Sequence, residues 1–366
     1  MKQFFLRHWK LHSWLLGTAA VVLFFHIGKH NRHLMNALAE YVTEPLKRTL
    51  GALCDAVPFS VAEVLIVVAV QVGIFYLCVL VIDLFRREDK KDLLYRRLFG
   101  FACAGISIYA GFCILWGVNY YIDGFQEKSG IHAKGVSVEQ LTEVTELFAQ
   151  KVNAYSVNVQ RTEEGLFAVP REEIYQAAPT IYDNLEQQYP FLEMEDHMPK
   201  RISFSKVMSA ANFTGFFFPF TGEANLNDDC PAALLPATIA HEMAHQRSIA
   251  SEQECNFIAI LVCEMSGNAA YAYSGALFAY IHLSNALYRA DRAAWEEIRD
   301  SLHHDVQMDL AYNNAYWRQY EGKTAEVSQK TYDQFLKGYG EERGIQSYGE
   351  VVDLLVGYYS TAEVHS

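Results

Sequence analysis

The sequence predicts a membrane-anchored α+β protein, with three N-terminal transmembrane helices followed by a mostly helical domain that contains a small β-sheet. The first observation is that three long apolar runs lie within the first third of the 366 residues. The second is a change of charge: residues 1–129 hold 14 Lys and Arg against 10 Asp and Glu, whereas residues 130–366 hold 16 against 33. We therefore predict a membrane domain over residues 1–125 and a second domain over residues 130–366.

The apolar runs predict spans at about residues 13–30, 59–85 and 98–121. A helix needs roughly 20 apolar residues to cross the hydrocarbon core of a bilayer. The first run is short, but the small-residue cleavage site of a signal peptide does not follow it, so we interpret it as a retained helix. The alternative, that the runs are buried helices of a large soluble protein, is disfavoured by the charged loops between them.

Basic residues predict the orientation of these spans. The segment Arg86–Arg97 carries six Lys and Arg, so we place it in the cytoplasm together with the N-terminus. Three spans then put the acidic domain outside the cytoplasm. In this orientation the segment Lys29–Pro58 would lie outside the cytoplasm. Its four basic residues are an exception to the rule that basic residues favour the cytoplasmic side.

The composition also excludes some partners. A strongly acidic domain lacks the clustered Lys and Arg that a nucleic-acid backbone requires, so we predict no nucleic-acid partner. The seven cysteines form no paired C-x-x-C spacing. Whether Cys230, Cys255 and Cys263 form a disulfide stays open.

In the acidic domain, apolar spacing predicts several helices and one β-rich stretch. The stretch Lys200–Leu226 predicts two or three short strands, of which Glu223–Asn227 is our candidate for an exposed sheet edge. The predicted helices are Val138–Val152, Arg171–Tyr189, Glu252–Ser266, Ala269–Arg289, Arg292–Leu310, Tyr332–Tyr339 and Tyr348–Tyr358.

The most informative stretch is Pro236–His245, which contains the pattern H-E-x-x-H. On a helix, His241 and His245 lie on one face and can bind the same Zn²⁺, with Glu242 beside them as a general base. Pro236 suits the first turn of such a helix. A polar cluster without a metal is the structural alternative.

A catalytic zinc ion needs a third protein ligand and an open position. A straight helix would place Glu252 about 16 Å from His241, so the chain must turn within Arg247–Ser251 and begin a second helix near Glu252. Ser248 or Ser251 could cap that helix. Glu254 is the competing ligand, but it points away from Glu252 on a helix, and we prefer Glu252.

These residues predict metal-assisted hydrolysis of peptide bonds. Zinc lowers the pKa of its bound water to about 7, and Glu242 takes the proton and passes it to the leaving amine. Substrate backbone pairs with an exposed strand, such as Glu223–Asn227. Asn256, one turn beyond Glu252, is expected to steady a ligand. Candidates for stabilising the oxyanion are Tyr271, Tyr273 and Arg247, and nothing in the sequence selects among them.

The chain resembles a bacterial family of uncharacterised multi-pass membrane proteins, a domain-of-unknown-function family with a zinc-metallopeptidase-like C-terminal domain. The resemblance covers most of the chain and rests on several segments. They are Pro58–Glu63, Phe213–Asn227, Pro236–His245, Glu252–Ala259, Asp333–Lys337 and Ser347–Leu355. It implies a zincin-like domain in a bacterial cell membrane.

More distantly, Glu252–Asn256 is similar to the E-x-x-x-D element of gluzincin membrane peptidases. That similarity implies a ligand role for Glu252 and a supporting role for Asn256. Two positions depart from the expected pattern: Asn256 stands in place of Asp and cannot give a histidine ligand a charged partner, and Ser248 stands where Gly is expected.

The function we predict is a membrane-bound zinc metalloprotease whose partners are the lipid bilayer and a membrane-proximal protein or peptide substrate. The alternative is a membrane sensor or scaffold protein whose zinc site is structural or degenerate. A transporter is disfavoured, because the few charges in the spans lie near their ends.

Overall fold

The computed structural model describes residues 7–86, 88–133, 135–339 and 349–360. The chain divides into two compact units. Unit 1 comprises Met1–Ile122 and Pro219–Gly222, and unit 2 comprises Asp123–Phe218 and Glu223–Ser366. The first residue of the predicted helix Tyr348–Tyr358 lies outside the described residues, as do Ser347 and Tyr348 of the resemblance.

Three helices of unit 1 are long and apolar enough to cross a membrane: α1 (Trp9–Gly28), α4 (Val61–Arg86) and α5 (Lys90–Leu115). They correspond to the three predicted spans, with shifted ends. The helix α5 begins well before Leu98, and it ends before Tyr121 because Gly117–Tyr121 forms a 3-10 helix. The prediction of three apolar helices is thus confirmed.

The exposure of these helices separates the membrane interpretation from the soluble alternative. Helices in the core of a soluble protein would be covered on most sides. Instead, no more than 17% of the most apolar window of any of the three helices is buried inside the protein. Exposed apolar side chains are what a lipid environment requires, so this exposure favours association with a membrane.

The remainder of unit 1 is also helical. α2 (Arg32–Leu38) continues through a π-helical turn, Ala39–Thr43, into α3 (Glu44–Asp55). Polar side chains join α5 to α1 and its N-terminal flank: Nε2 of His8 lies 2.7 Å from Asp92, and Nε2 of His26 lies 2.9 Å from the Tyr109 hydroxyl. Such bonds are expected between apolar helices, because polar groups need partners away from water.

The basic segment Arg86–Arg97 is mostly helical rather than a loop. α4 ends at Arg86 and α5 begins at Lys90, so only a short link separates them. Arg97 lies in the second helix and forms an ion pair of 2.9 Å with Asp83 in the first. The basic residues still cluster at one end of two apolar helices, and the orientation derived from them stays a prediction.

Unit 2 is mostly helical. Its helices are α6 (Phe125–Ser129), α7 (Val138–Ser156), α8 (Arg171–Ala177), α9 (Asp183–Gln188), α10 (Ser205–Ala210), α11 (Leu235–Gln246), α12 (Glu252–Met265), α13 (Ala269–Ala290), α14 (Arg292–Asp300), α15 (His304–Arg318), α16 (Lys323–Gly338) and α17 (Glu350–Ser360).

Two predicted helices are broken, each for a physical reason. The helix predicted over Arg171–Tyr189 is interrupted by a 3-10 turn at Ala178–Thr180, where Pro179 lacks the N–H that a continuous helix needs. The helix predicted over Arg292–Leu310 breaks at Ser301–His303. There the side chain of Asn153 donates to the Ser301 carbonyl and accepts from the His303 amide, which replaces helical bonds.

The small sheet has the order β1-β3-β2, with β1 (Lys200–Arg201), β2 (Gly215–Phe218) and β3 (Glu223–Leu226). β3 pairs parallel with β1 and antiparallel with β2. Our prediction that Glu223–Asn227 is an edge was therefore wrong, because partners cover β3 on both sides. Within the β-rich stretch Lys200–Leu226, Ser205–Ala210 forms the helix α10 instead of a strand, and Val207 on this helix is exposed.

The core of unit 2 centres on α12 and α13, which carry nearly continuous buried faces. They approach closely at Gly275, where an added Cβ would lie 2.3 Å from Cβ of Cys263. Every side chain larger than hydrogen would force these helices apart. None of the seven cysteines, which include Cys230, Cys255 and Cys263 and all lie in the described residues, forms a disulfide.

We expect Gly275→Ala to lower the free energy of unfolding of the detergent-solubilised protein by about 3 kcal/mol, the upper part of the usual range for overpacked cores. Gly357→Ala is the matched control, because its Cβ would meet only the His132 carbonyl at an ordinary 3.6 Å. Chemical denaturation measures both. Equal unfolding midpoints for the two variants would show that the α12–α13 contact is not tight.

Candidate metal centre

The two histidines and Glu242 lie on α11, which begins at Leu235 with Pro236 in its first turn. Leu235, Ile239 and Met243 bury the apolar face of this helix. The spacing of four residues brings the rings of His241 and His245 to a centroid distance of 4.9 Å, with their planes nearly perpendicular. α11 thus presents both imidazoles on one face, as the sequence predicts.

After α11 the chain turns, as the ligand geometry demands. Ser248 takes a left-handed conformation with φ of 68°, and its amide donates to the His245 carbonyl. Ser251 then caps α12, because its side chain accepts from the amide of Glu254. Of the two predicted caps, Ser251 is therefore the one observed, and α12 begins at Glu252.

Ser248 occupies a conformation that favours glycine, the residue expected there from the resemblance. A side chain in this region costs roughly 1 kcal/mol or more. We therefore expect Ser248→Gly to raise the free energy of unfolding by up to about 1 kcal/mol, measured by chemical denaturation. Ser251→Gly, which removes the cap instead, should not stabilise the protein. If Ser248→Gly is less stable than the wild type, the left-handed conformation of Ser248 is not a source of strain.

The turn brings Glu252 to the two histidines. Its Oε2 atom lies 3.2 Å from Nε2 of His241, and its Oε1 atom lies 3.6 Å from Nε2 of His245. One potential ligand atom from each residue lies within 4.8 Å of the others. The three residues could therefore hold a metal ion, and they are the only such group of three or more His, Cys, Asp or Glu side chains in the described part of the chain.

The orientation of His245 suits ligation through Nε2. Its Nδ1 atom lies 2.7 Å from the carbonyl oxygen of Ile249, to which it can donate, leaving the Nε2 lone pair for a metal. Cys255 lies against the same nitrogen at 3.3 Å. Burial raises the pKa of the Cys255 thiol to about 12, so this cysteine is a core residue rather than a nucleophile.

The charges of the cluster support one another. Burial disfavours the ionised form of Glu252, but the histidines outweigh this effect and hold its pKa well below its usual range. For His245, burial acts in the opposite direction to the neighbouring Cys255 and Glu252, which together raise its pKa. In the absence of a metal, a proton on the histidine thus serves as the positive partner of the carboxylate.

Glu254, the competing ligand, has a different partner. Its carboxylate accepts hydrogen bonds of 2.9 and 3.0 Å from the backbone amides of Phe125 and Gln126, at the start of α6. The side chain is 5% exposed and belongs to no group that could hold a metal within the described residues. Its buried charge is thus satisfied by a helix N-terminus.

Glu242 lies beside the three potential metal ligands but is not one of them. It is 4% exposed, and its Oε2 atom has no hydrogen-bond partner among the described residues. Burial raises the pKa of Glu242 to about 7; His241 and His245 lower it, and Glu252 raises it further. A buried carboxylate with a free oxygen is suited to accept a proton from a water molecule.

β2 passes directly over Glu242. A Cβ added to Gly215 would lie 2.7 Å from Oε1 of Glu242 and 2.8 Å from its Cγ. Only glycine leaves room for the carboxylate here. β2 is an outer strand of the described sheet, whereas the predicted Glu223–Asn227 forms its central strand.

The structure does not show the supporting roles predicted for Asn256 and for the three oxyanion candidates. Asn256 is buried, yet its Nδ2 atom has no hydrogen-bond partner among the described residues, so its support of a ligand stays a prediction. The three oxyanion candidates are engaged: Arg247 pairs with Glu186 and Asp196, Tyr271 donates to the Ile174 carbonyl, and Tyr273 donates to Asp309.

Sequence reasoning missed Tyr332. This residue of α16 donates its hydroxyl hydrogen to Oε1 of Glu252, although 80 positions separate them. No spacing rule links the two residues. The segment Asp333–Lys337 of the resemblance, directly after Tyr332, was the nearest signal.

The residues present fit a divalent metal ion. Two neutral imidazoles and a carboxylate are a donor set typical of catalytic zinc, and the fourth position would be open to water. The Oε2 atom of Glu242 lies in the same buried region and lacks, among the described residues, the partner that buried oxygen atoms normally have.

The fold and the site define a protein with three helices long enough to cross a membrane and a helical unit that contains a candidate metal centre. Residues 39–356 match the family described as "Protein of unknown function (DUF3810)". The match covers most of the chain, so the chain belongs to this family. No curated protein and no solved structure matches the chain.

Proposed function

We propose that this protein is a membrane-bound zinc-dependent metalloprotease with a zincin-like catalytic unit. The observation that carries the proposal is the meeting of His241, His245 and Glu252 beside the buried carboxylate of Glu242. A structural zinc site usually has four protein ligands. Three ligands next to a buried carboxylate that can act as a general base are instead typical of a hydrolytic site.

The roles of the chain's own residues follow from their contacts. His241, His245 and Glu252 would hold zinc, which acts as a Lewis acid and makes water a better nucleophile at neutral pH. Glu242 accepts the proton of the attacking water and delivers it to the leaving amine. The Ile249 carbonyl holds the His245 ring in its ligating orientation.

The position of β2 supports a peptide as the substrate. An extended peptide that pairs with β2 at Gly215 would pass close to Glu242, because Gly215 lies against that carboxylate in an outer strand of the described sheet. Main-chain hydrogen bonds would then hold the peptide independently of its side chains. The contact supports cleavage of extended, unstructured segments, and the three apolar helices support membrane-proximal proteins as their source.

The proposed location is a bacterial cell membrane, with the N-terminus in the cytoplasm and unit 2 outside it. The basic residues between Arg86 and Arg97 support this orientation. A reporter fused after Ser366 tests it. We expect activity from a reporter enzyme that works only outside the cytoplasm. Activity only from a reporter that works inside the cytoplasm would show that the orientation is the opposite one.

The function is tested with the full-length protein in detergent or in liposomes. We expect about one zinc ion per chain and cleavage of an unstructured protein such as casein, lost on chelation and restored by zinc. Glu242→Ala should keep the zinc and lose about 10²–10⁴-fold in rate, the usual contribution of a general base. Stoichiometric zinc without Glu242-dependent cleavage would instead support a sensor or scaffold with a structural zinc site.

A further inference from the structure

We infer that Tyr332 is a positioning residue of the metal centre, which orients the ligand Glu252 and raises the affinity of the site for zinc. The inference rests on the metal ligands of the proposed function and adds a residue that neither the H-E-x-x-H spacing nor the family match assigns. The Tyr332 side chain makes two contacts at the site, one polar and one apolar.

The polar contact is with the metal-binding carboxylate itself. The Tyr332 hydroxyl donates to Oε1 of Glu252, the oxygen that also lies 3.6 Å from Nε2 of His245. The other oxygen, Oε2, lies 3.2 Å from Nε2 of His241. Glu252 is thus held from three directions, and Tyr332 is the one of these partners that is not itself a proposed ligand.

The apolar contact is with Phe213, which lies two residues before the strand β2 that packs against Glu242. The ring of Tyr332 packs edge-on against Phe213, with centroids 5.5 Å apart. Phe213 is fixed in turn, because its carbonyl accepts from Nδ2 of Asn227 at 2.9 Å. Phe213 lies just before β2, where Gly215 contacts Glu242. Tyr332 therefore contacts both the third ligand and the segment that leads to the base.

These contacts have a defined effect on metal binding. A carboxylate on a helix can rotate about its side-chain bonds, and ordering it costs conformational entropy when the metal binds. A hydrogen bond that already fixes the ligating orientation reduces this cost. Groups that orient metal ligands in this way typically contribute 10–100-fold to metal affinity.

The test is Tyr332→Phe in the full-length protein, because this change removes the hydroxyl and keeps the ring on Phe213. We expect the affinity for zinc, measured by competition with a chromophoric chelator, to fall 10–100-fold. The visible absorption spectrum of the Co²⁺-loaded protein should also change, since the carboxylate ligand is no longer held in one orientation. A purely structural role would leave that spectrum unchanged.

The chain offers a closely matched control. Tyr359 donates its hydroxyl hydrogen to Glu264, a glutamate on the same helix α12 that belongs to no metal-binding group of the described residues. Tyr359→Phe removes the same type of bond away from the site and should leave zinc affinity and the Co²⁺ spectrum unchanged. If Tyr332→Phe weakens zinc binding no more than Tyr359→Phe does, the inference is wrong.

Failure of this inference is distinguishable from failure of the metal centre. If Tyr332→Phe binds zinc as tightly as the wild type while Glu252→Ala loses it, the metal centre stands and the role of Tyr332 is overturned. If the wild-type protein binds neither zinc nor Co²⁺, both are overturned.

Discussion

Replacing Glu252 with Ala is expected to lower zinc affinity by more than about 100-fold, whereas Glu254→Ala should leave it nearly unchanged. Loss of a group that merely orients a ligand costs 10–100-fold, so loss of a ligand should cost more. Glu252 lies 3.2 Å from His241, but Glu254 binds the amides of Phe125 and Gln126. Chelator competition with the purified full-length variants measures the difference.

Glu254→Ala should also lower the stability of the protein. Glu254→Ala leaves two backbone amides at the start of α6 without their buried acceptor, which costs roughly 1–3 kcal/mol for each unsatisfied group. It should therefore unfold more easily in denaturant while it still binds zinc. Loss of zinc from Glu254→Ala, with retention in Glu252→Ala, would refute the assignment of the third ligand.

Gly215→Ala is expected to abolish most hydrolysis while zinc stays bound. The new methyl group would lie within 3.0 Å of three atoms of Glu242, so either the carboxylate or β2 must move. The backbone of Gly215 does not have a positive φ, so the effect is steric rather than conformational. A displaced general base should cost about 10²–10⁴-fold in rate, comparable to Glu242→Ala.

Gly338→Ala is the control for this prediction, because an added Cβ at the end of α16 meets nothing within 4 Å. That variant should cleave the test substrate at the wild-type rate. Zinc content, measured by atomic absorption, should be the same in both glycine variants. Full activity of Gly215→Ala would show that Glu242 and β2 do not cooperate in catalysis.

The local part of the site could be predicted from the sequence. The four-residue spacing of His241 and His245 places them on one helical face, and the distance to Glu252 along a straight helix is too long for a shared metal. A turn was therefore required, and the structure contains one, with Ser248 in the left-handed region and Ser251 as the cap. Each of these steps depends on residues close in sequence.

The remainder depends on contacts between distant segments. Tyr332 reaches Glu252 from another helix, and Gly215 meets Glu242 because of the way in which the sheet packs on α11. The prediction that Glu223–Asn227 is a sheet edge was wrong because the pattern of this segment does not reveal that β1 pairs on its other side. The break at Ser301 likewise depends on Asn153, a residue of a different helix.

The central claim is that His241, His245 and Glu252 bind one metal ion beside Glu242. The most direct test is X-ray diffraction from crystals of the zinc-loaded full-length protein on both sides of the zinc absorption edge. We predict a single anomalous peak within about 2.0–2.2 Å of Nε2 of both histidines and of a Glu252 carboxylate oxygen. A peak coordinated by Glu254, or no peak between the two histidines, would contradict the account.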